Sequence, residues 1–369
     1  MDELLHVENA IVVAITPLEK GRLIEIRPAG KYHQLSLTEA VSGEKDQLFV
    51  TFHAYKATGG YDILYAVVDS NGNIVKVMHE TAGMLPSVFH APDGALWLSV
   101  TPYHPDKELE TFLPVSGRDN VTPLKPGRPF AGKFIGTIGQ QVLSWMDEVF
   151  SDKKPDKLLV LNFENGQVKK KKEIKVDMPQ RNKAIVANDK TYLLCRHAGG
   201  LLLRTMDTAG KILSSAQLTL RPAQFEFLSV SSNDTIRLFY TGKGGAAGIC
   251  EISADGTMNS IPLLETGLDF YSTWPATALG NNSFLIRFTH EKGNGWILIR
   301  EQRVVECFLQ NNADGLYTDL VSNAVIRVRN KAAVLADAAM QDNSAYALVF
   351  RPNSNEGGPG EIIILQRSM

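Results

Sequence analysis

Short apolar runs that end on a polar residue recur at nearly regular intervals along the chain. Seven six-residue segments align without gaps, and their first, third and fifth positions are apolar except at Ser144 and Arg196. Their sixth position is always Thr, His or Asp. Because the second positions are also mostly apolar, each run predicts a strand that is packed on both faces. The segments are residues 11–16, 48–53, 96–101, 142–147, 192–197, 236–241 and 284–289, whose starts lie 37, 48, 46, 50, 44 and 48 residues apart.

Turn signals on both sides of these runs predict two hairpins per repeat. In residues 87–101, SVFHAPDGALWLSVT, the sequence Pro92-Asp93-Gly94 separates two apolar runs. Pro presets φ for a turn and Gly tolerates positive φ, so this stretch predicts a β-hairpin. A second turn signal follows each run, as at residues 208–210. Two hairpins in about 45 residues, with no helical periodicity, are typical of the four-stranded antiparallel blade of a β-propeller.

The expected fold is therefore all-β, a single β-propeller domain that spans residues 1–369. Seven repeats end near Leu309, and four further apolar runs follow them. These runs predict an eighth four-stranded blade. Seven blades is the alternative, if some C-terminal strands complete the sheet that begins with the weak first strand at residues 4–7. The four runs are residues 325–328, 333–335, 346–350 and 362–365.

Some of the turns also resemble those of known families. Residues 92–97 (PDGALW) resemble the PDG-x-LW phrase of streptogramin-lyase-like, NHL-type and sensor-regulator propellers. Residues 253–256 (SADG) resemble the start of a sialidase Asp-box, but Asn259 and Ser260 stand where an aromatic residue would follow. The resemblance implies the propeller fold across the chain. It implies no catalytic residue, because one fold carries many functions.

Charge and cysteine content narrow the classes of partner. The 38 Lys and Arg balance 40 Asp and Glu, for a net charge of -2, so no global field attracts nucleic acid or an acidic membrane. Four lysines at residues 169–172 fall on an expected outer strand, where charge blocks edge-to-edge pairing. Cys195, Cys250 and Cys307 lie far apart beside apolar runs, which indicates reduced core residues.

The N-terminal residues and the hydropathy predict where the protein resides. No apolar run reaches the length of a membrane span, so no membrane insertion is expected. Residues 1–13 (MDELLHVENAIVV) contain acidic residues, no basic n-region and no cleavage site of small residues, so they do not form a signal peptide as they stand. We expect a cytoplasmic location, and a secreted or periplasmic one is the alternative if a signal peptide has been removed.

Candidate binding residues are predicted on one face of the propeller. The second strand of each blade ends on the face where loops lead into the next blade, and loops on a rigid scaffold carry function. The same residue types also cap the ends of strand ladders or pack against neighbouring blades. The candidates around the central channel are His53, Tyr103, His104, Asp147, Glu148, Arg181, His197, Tyr271, Trp274, His290, Tyr317 and Asp319.

Two functions fit this arrangement. The favoured one is a non-catalytic ligand- or protein-binding propeller whose partner is a protein, a peptide or a glycan. The alternative is a lyase or hydrolase with a His and acid site at the channel mouth, because four of the eight histidines fall near this edge. No two of those four are spaced i, i+2 on one strand, so no metal site is predicted, and no motif calls for a cofactor. The four are His53, His104, His197 and His290.

Overall fold

The computed structural model contains two compact units built almost entirely of β-strands. Unit 1 comprises Met1–Pro86 and Leu268–Met369, and unit 2 comprises Ser87–Gly267. The expectation that one domain spans the chain stays a prediction. The structure describes residues 3–7, 11–42, 48–69, 74–80, 84–90, 92, 96–101, 111–114, 133–146, 157–164, 167–176, 183–311, 316–328, 333–342, 345–352 and 362–368.

The strands are short and follow one another closely, as the spacing of turn signals predicts. The first part of unit 1 contains β1 (Glu3–Val7), β2 (Ile11–Leu18), β3 (Gly21–Pro28), β4 (Tyr32–Ser42), β5 (Leu48–Lys56), β6 (Tyr61–Val68) and β7 (Ile74–Glu80). Unit 2 begins within β8 (Met84–His90) and continues with β9 (Leu96–Thr101), β10 (Thr111–Pro114), β11 (Lys133–Ile138), β12 (Gln141–Met146), β13 (Lys157–Glu164), β14 (Gln167–Lys175), β15 (Lys183–Ala187), β16 (Lys190–His197), β17 (Gly200–Met206), β18 (Ile212–Leu218), β19 (Gln224–Val230), β20 (Ile236–Thr241), β21 (Ala246–Ile252) and β22 (Met258–Glu265). One turn of 3-10 helix, Lys243–Gly245, precedes β21. Unit 1 resumes with β23 (Phe270–Thr273), β24 (Thr277–Ala278), β25 (Ser283–His290), β26 (Gly293–Arg300), β27 (Arg303–Asn311), β28 (Leu316–Asp319), β29 (Val325–Arg327), β30 (Ala333–Asp342), β31 (Ala345–Pro352) and β32 (Ile362–Ser368).

Unit 2 contains three sheets of the predicted type. The orders β11-β12-β13-β14, β15-β16-β17-β18 and β19-β20-β21-β22 each join four antiparallel strands in sequence. β10-β9-β8 form a three-stranded sheet. Asn188 and Asp189 take φ of 51° and 56° in the turn between β15 and β16, and Gly210 takes 85° in the predicted turn after β17. The two predicted hairpins are therefore confirmed in each of the three four-stranded sheets of unit 2.

Unit 1 contains one sheet of the same type and two larger ones. β4-β5-β6-β7 is a four-stranded sheet in sequence order. β23 and β24 both pair with β25, and the sheet continues through β26, β27, β28 and β29. The third sheet has the order β1-β2-β3-β32-β31-β30, in which Leu23 of β3 lies opposite Leu365 of β32.

The fold is all-β and propeller-like, with four-stranded antiparallel blades. The described residues form seven sheets, four of which have four strands, so they do not confirm the predicted count of eight blades. β29 extends the sheet that starts at β23, and β30, β31 and β32 join the first three strands of the chain. These C-terminal strands form no separate blade because β32 pairs with β3, which satisfies backbone groups along an edge that would otherwise stay open.

The core of each unit lies between its sheets. In unit 1, one apolar cluster joins the β4–β7 sheet to the six-stranded sheet, and a second contains Trp296 stacked on Phe308 with ring centroids 4.7 Å apart. In unit 2, two clusters join the three four-stranded sheets in succession. Cys195, Cys250 and Cys307 are all buried, which confirms that they are core residues.

The first strands of several sheets carry β-bulges. The register of β4, β11, β19 and β23 shifts where two residues oppose one on the neighbouring strand. In β23 the shift falls between Phe270 and Ser272. A bulge bends the strand and re-aims a side chain, so the bulge of β23 decides the direction of Tyr271.

Candidate functional site

Three predicted residues, Tyr271, Trp274 and His290, belong to the paired strands β23 and β25 of unit 1 or directly follow them. Phe270 is opposite His290, and the bulge that follows makes Tyr271 the extra residue of β23. Its side chain is 63% exposed. A large aromatic side chain held at a bulge and open to solvent is a surface that a ligand can contact without rearranging the sheet.

A buried arginine supports the indole of Trp274, three residues after this tyrosine. The backbone N–H of Trp274 donates to the carbonyl oxygen of Arg287 at 3.1 Å. The Arg287 guanidinium lies 5.6 Å from the centre of the Trp274 ring, and the arginine is 8% exposed. This cation–π contact orders the half-buried indole in a fixed orientation. We call Tyr271, Trp274 and Arg287 the Tyr271 surface.

His290 closes the turn between β25 and β26 rather than facing a ligand. It is 3% exposed, and its Nδ1 accepts from the backbone N–H of Lys292 at 3.2 Å. Its Nε2 lies 3.2 Å from the carbonyl oxygen of Asn294 and donates to it in the neutral ring. Burial lowers the pKa of His290. Both nitrogens are engaged, so His290 is a capping residue.

Asp319 also has a structural role. Its Oδ1 accepts from the backbone N–H of Cys307 at 2.7 Å and of Val321 at 3.2 Å. Its Oδ2 accepts from the N–H of Ser322 at 3.1 Å and from the hydroxyl of the same residue at 2.5 Å. The carboxylate is 2% exposed and orders the turn after β28.

Tyr317 is a core residue, which corrects the expectation that it offers a binding surface. Its side chain is completely buried. Its ring lies 5.2 Å from that of Trp296 and 5.5 Å from that of Phe350, measured between centroids. It packs between sheets, which is the alternative role that the sequence analysis gives for such aromatic residues.

His53 belongs to a second aromatic group in unit 1, at the end of β5 and the start of β6. Its ring centroid is 4.4 Å from that of Tyr61 and 6.4 Å from that of Tyr55. All three side chains are half-buried. Burial lowers the pKa of His53, which keeps the imidazole neutral near pH 7. We call these three residues the His53 group.

A buried carboxylate lies beside the His53 group but on the other face of the strand. Asp62 follows Tyr61 directly, and successive side chains of a strand point to opposite faces. It accepts from the hydroxyl of Tyr32 at 2.8 Å, and the ammonium groups of Lys56 and Lys31 lie 2.6 Å and 3.2 Å from its oxygens. Asp62 is therefore held by three partners and is not positioned to activate His53.

The remaining candidates are not brought into these groups. His197, in unit 2, is exposed at the turn between β16 and β17. Tyr103, His104, Asp147, Glu148 and Arg181 lie outside the described residues. Within the described part of the chain, no group of three His, Cys, Asp or Glu side chains could hold a metal ion. No helix there is long and apolar enough to cross a membrane.

We expect His290 to make the fold less stable in mild acid. Burial lowers its pKa below 6.5, so the unfolded chain takes up a proton as the pH falls through that value while the folded chain does not. The contribution of His290 to stability is complete above pH 6.5 and is lost as the pH falls toward its folded pKa. In His290→Gln, the drop in melting temperature between pH 7 and pH 5 should therefore be smaller.

His197→Gln is the matched control, because that imidazole is exposed. It should show the same drop in melting temperature as the parent chain, measured by differential scanning fluorimetry. Equal drops in both variants and the parent would contradict the assignment.

No family model matches the sequence, and no curated protein matches it. Solved structures do. An oligogalacturonate lyase in complex with manganese matches with a TM-score of 0.54 and 9% identity, over 100% of this chain and 98% of that chain. Prolyl oligopeptidase B from Galerina marginata matches with a TM-score of 0.53 and 11% identity, over 92% of this chain and 52% of that one.

A prolyl endopeptidase matches with a TM-score of 0.49 and 11% identity, over 96% of this chain and 55% of that chain. The chain thus spans about half the length of the peptidases that it matches. Identities this low show a likeness of fold alone. The two likenesses with TM-scores above 0.5 agree with the propeller arrangement and assign no specific family.

Sequence reasoning missed the residues that support the predicted aromatics. Arg287 interrupts an apolar run, and a charged residue in such a run suggests a side chain that faces the solvent. Tyr55 and Tyr61 flank a turn, at residues 57–60, that carries no aromatic motif. The sequence contained a signal in both cases. An arginine inside a strand that is buried on both faces indicates a candidate functional residue, and so do two tyrosines on either side of a glycine-containing turn.

Proposed function

We propose that this protein is a non-catalytic binding module that takes a peptide segment of a partner protein on the Tyr271 surface. The observation that carries the proposal is the exposed ring of Tyr271 at a bulge, followed three residues later by an indole packed on a buried guanidinium. Tyr, Trp and Arg are the residue types that dominate the energy of protein interfaces. A rigid tyrosine also gives a large contact area at a small cost in conformational entropy.

The lyase or hydrolase alternative lacks support from the described histidines. His53, His197 and His290 belong to three different sheets. Both nitrogens of His290 are engaged by the backbone, and Asp62 is held by Tyr32 and two lysines. General acid–base catalysis needs a donor and an acceptor within reach of the same reacting group, and no such pair is present among these residues.

The test is a selection of peptides from a displayed random library on the full chain, followed by affinity measurements by fluorescence polarisation. We expect Tyr271→Ala to weaken binding of the selected peptides by at least about tenfold, the effect of losing an interface hot spot. Val325→Ala is the matched control: Val325 is 60% exposed on the outer strand of the same sheet, and its loss should leave binding unchanged.

Two results would contradict the proposal. One is a selection that yields no peptide, or only peptides whose binding is the same in Tyr271→Ala and Val325→Ala. The other is cleavage of a bound peptide during long incubation, detected by mass spectrometry, which would favour the hydrolase alternative.

A further inference from the structure

The imidazole of His53 has a buried polar atom that the folded chain does not satisfy. Its Nε2 is buried, and it has no hydrogen-bond partner among the described residues. His290 differs, because both of its ring nitrogens are engaged. A buried nitrogen without a hydrogen bond destabilises a folded protein, so such an atom needs a partner from outside the chain or a functional reason to persist.

The described ring contacts of His53 are with tyrosines. Because burial keeps His53 neutral, one ring nitrogen donates and the other accepts. The charged neighbours in sequence, Lys56 and Asp62, point to the other face of the sheet and form an ion pair at 2.6 Å. A neutral group that donates and accepts, set against tyrosine rings, matches a hydroxyl group better than it matches an ammonium group or a carboxylate.

We propose that the His53 group is a binding subsite for an uncharged sugar ring. The C–H groups on one face of a sugar ring pack against tyrosine, and a hydroxyl of the same ring hydrogen-bonds to Nε2 of His53. Because Nε2 is buried in the unliganded chain, the side chains around it must shift to admit the hydroxyl. The rings of Tyr55 and Tyr61 are 5.4 Å apart and inclined at 55°, so they form two walls. A side-chain carbon added at Gly59 or Gly60, in the turn before Tyr61, would meet no atom within 4 Å, so this turn is open to solvent.

The proposed site is independent of the peptide surface at Tyr271. It is tested on the full chain with maltotetraose, cellotetraose and xylotetraose as neutral probes and with trigalacturonate as an acidic one. Saturation-transfer NMR detects binding, and calorimetry gives the affinity. We expect at least one neutral probe to bind. His53→Phe should weaken that binding by about tenfold, whereas His53→Gln, which keeps a polar group at this position, should weaken it less.

A second measurement separates a binding role from a structural one. His53→Phe removes an unsatisfied polar atom and keeps a ring, so the melting temperature without sugar should stay the same or rise. His197→Phe, at an exposed imidazole, should change neither melting temperature nor sugar affinity. Tyr271→Ala should also leave sugar affinity unchanged, which keeps this test distinct from that of the peptide surface.

The proposal is overturned if no neutral probe binds, if only trigalacturonate binds, or if His53→Phe binds the neutral probe as tightly as the parent chain. A lower melting temperature of His53→Phe with unchanged affinity also overturns it, because Nε2 would then serve the fold. If His53→Phe does not fold, His53→Gln and Tyr61→Ala decide. Equal affinity of His53→Gln and the parent chain supports the site if Tyr61→Ala abolishes sugar binding. The same equal affinity overturns the site if Tyr61→Ala still binds the sugar.

Discussion

Replacing Arg367 with methionine is expected to lower the free energy of unfolding by about 3–5 kcal/mol, the usual cost of removing one partner from a buried ion pair. Its Nη2 lies 2.7 Å from Oε1 of Glu306, and the hydroxyl of Tyr346 donates to the other carboxylate oxygen. All three side chains are buried. Without the guanidinium, the Glu306 carboxylate stays in a low-dielectric core with its charge uncompensated.

The ion pair between Arg367 and Glu306 also connects two sheets, so its removal affects both of them. Glu306 lies on β27, Tyr346 on β31 and Arg367 on β32, so the pair joins two sheets of unit 1. The guanidinium also lies 5.2 Å from the centre of the Phe308 ring. Burial, with the Glu306 carboxylate next to it, raises the pKa of Tyr346, so this hydroxyl remains a donor throughout the accessible pH range.

Urea unfolding followed by circular dichroism gives the free energy of unfolding of each variant. The matched control is Arg237→Met, because Arg237 and Glu251 also form an ion pair, at 2.9 Å, but their side chains are 30% and 23% exposed. That pair should contribute under about 1 kcal/mol. Replacing Glu306 with leucine in Arg367→Met should recover part of the loss, since it removes the uncompensated charge. If Arg367→Met is no less stable than Arg237→Met, burial does not control the energy of the pair.

The strands were predictable because their signals are local. Residues 236–241 and 96–101 coincide with β20 and β9, and the turns between strands contain the Asn, Asp and Gly residues that positive φ requires. The structure shows the role of the polar residue that ends the apolar run at residues 236–241. Oγ1 of Thr241 accepts from the backbone N–H of Gln224 at 3.0 Å, which is the capping role that competed with a ligand site.

The grouping of strands into sheets was not predictable from such signals. The pairing of β3 with β32 joins the two ends of the chain, and no turn connects them. Alternation of apolar and polar residues shows that a strand is covered, but it does not show by which strand. The four apolar runs at the C-terminus therefore predicted a separate blade, although three of them became partners of the first strands.

The sequence predicted the region of the candidate site, at strand ends and in the loops between blades. It did not predict which residues there are exposed. Tyr271 and Tyr317 lie in similar sequence settings, DFYST and GLYTD, yet one is 63% exposed and the other is buried. The difference comes from a bulge in β23, which depends on the register with β25. Arg287 was missed because its role comes from the indole of Trp274, which contacts it only in the folded chain.

Gly21→Ala is expected to lower the free energy of unfolding by about 3 kcal/mol, because a close backbone contact adds to backbone strain. Gly21 has φ of 114°, where residues with a Cβ are strained. A Cβ there would lie 2.0 Å from the carbonyl oxygen of Gln366, a backbone atom of β32. The methyl group can therefore be accommodated only if β32 moves away from β3, and this loosens the pairing between the two ends of the chain.

Gly59→Ala is the matched control for this strain. Gly59 has φ of 91°, but a Cβ there would meet no atom within 4 Å, so only the conformational cost of about 1 kcal/mol remains. Thermal melts compare the two variants, and amide hydrogen exchange locates the change. Gly21→Ala should lose protection in β3 and β32, which Gly59→Ala should keep. Equal destabilisation of the two variants, or unchanged protection of β32 in Gly21→Ala, would show that the contact with Gln366 is not what requires glycine at residue 21.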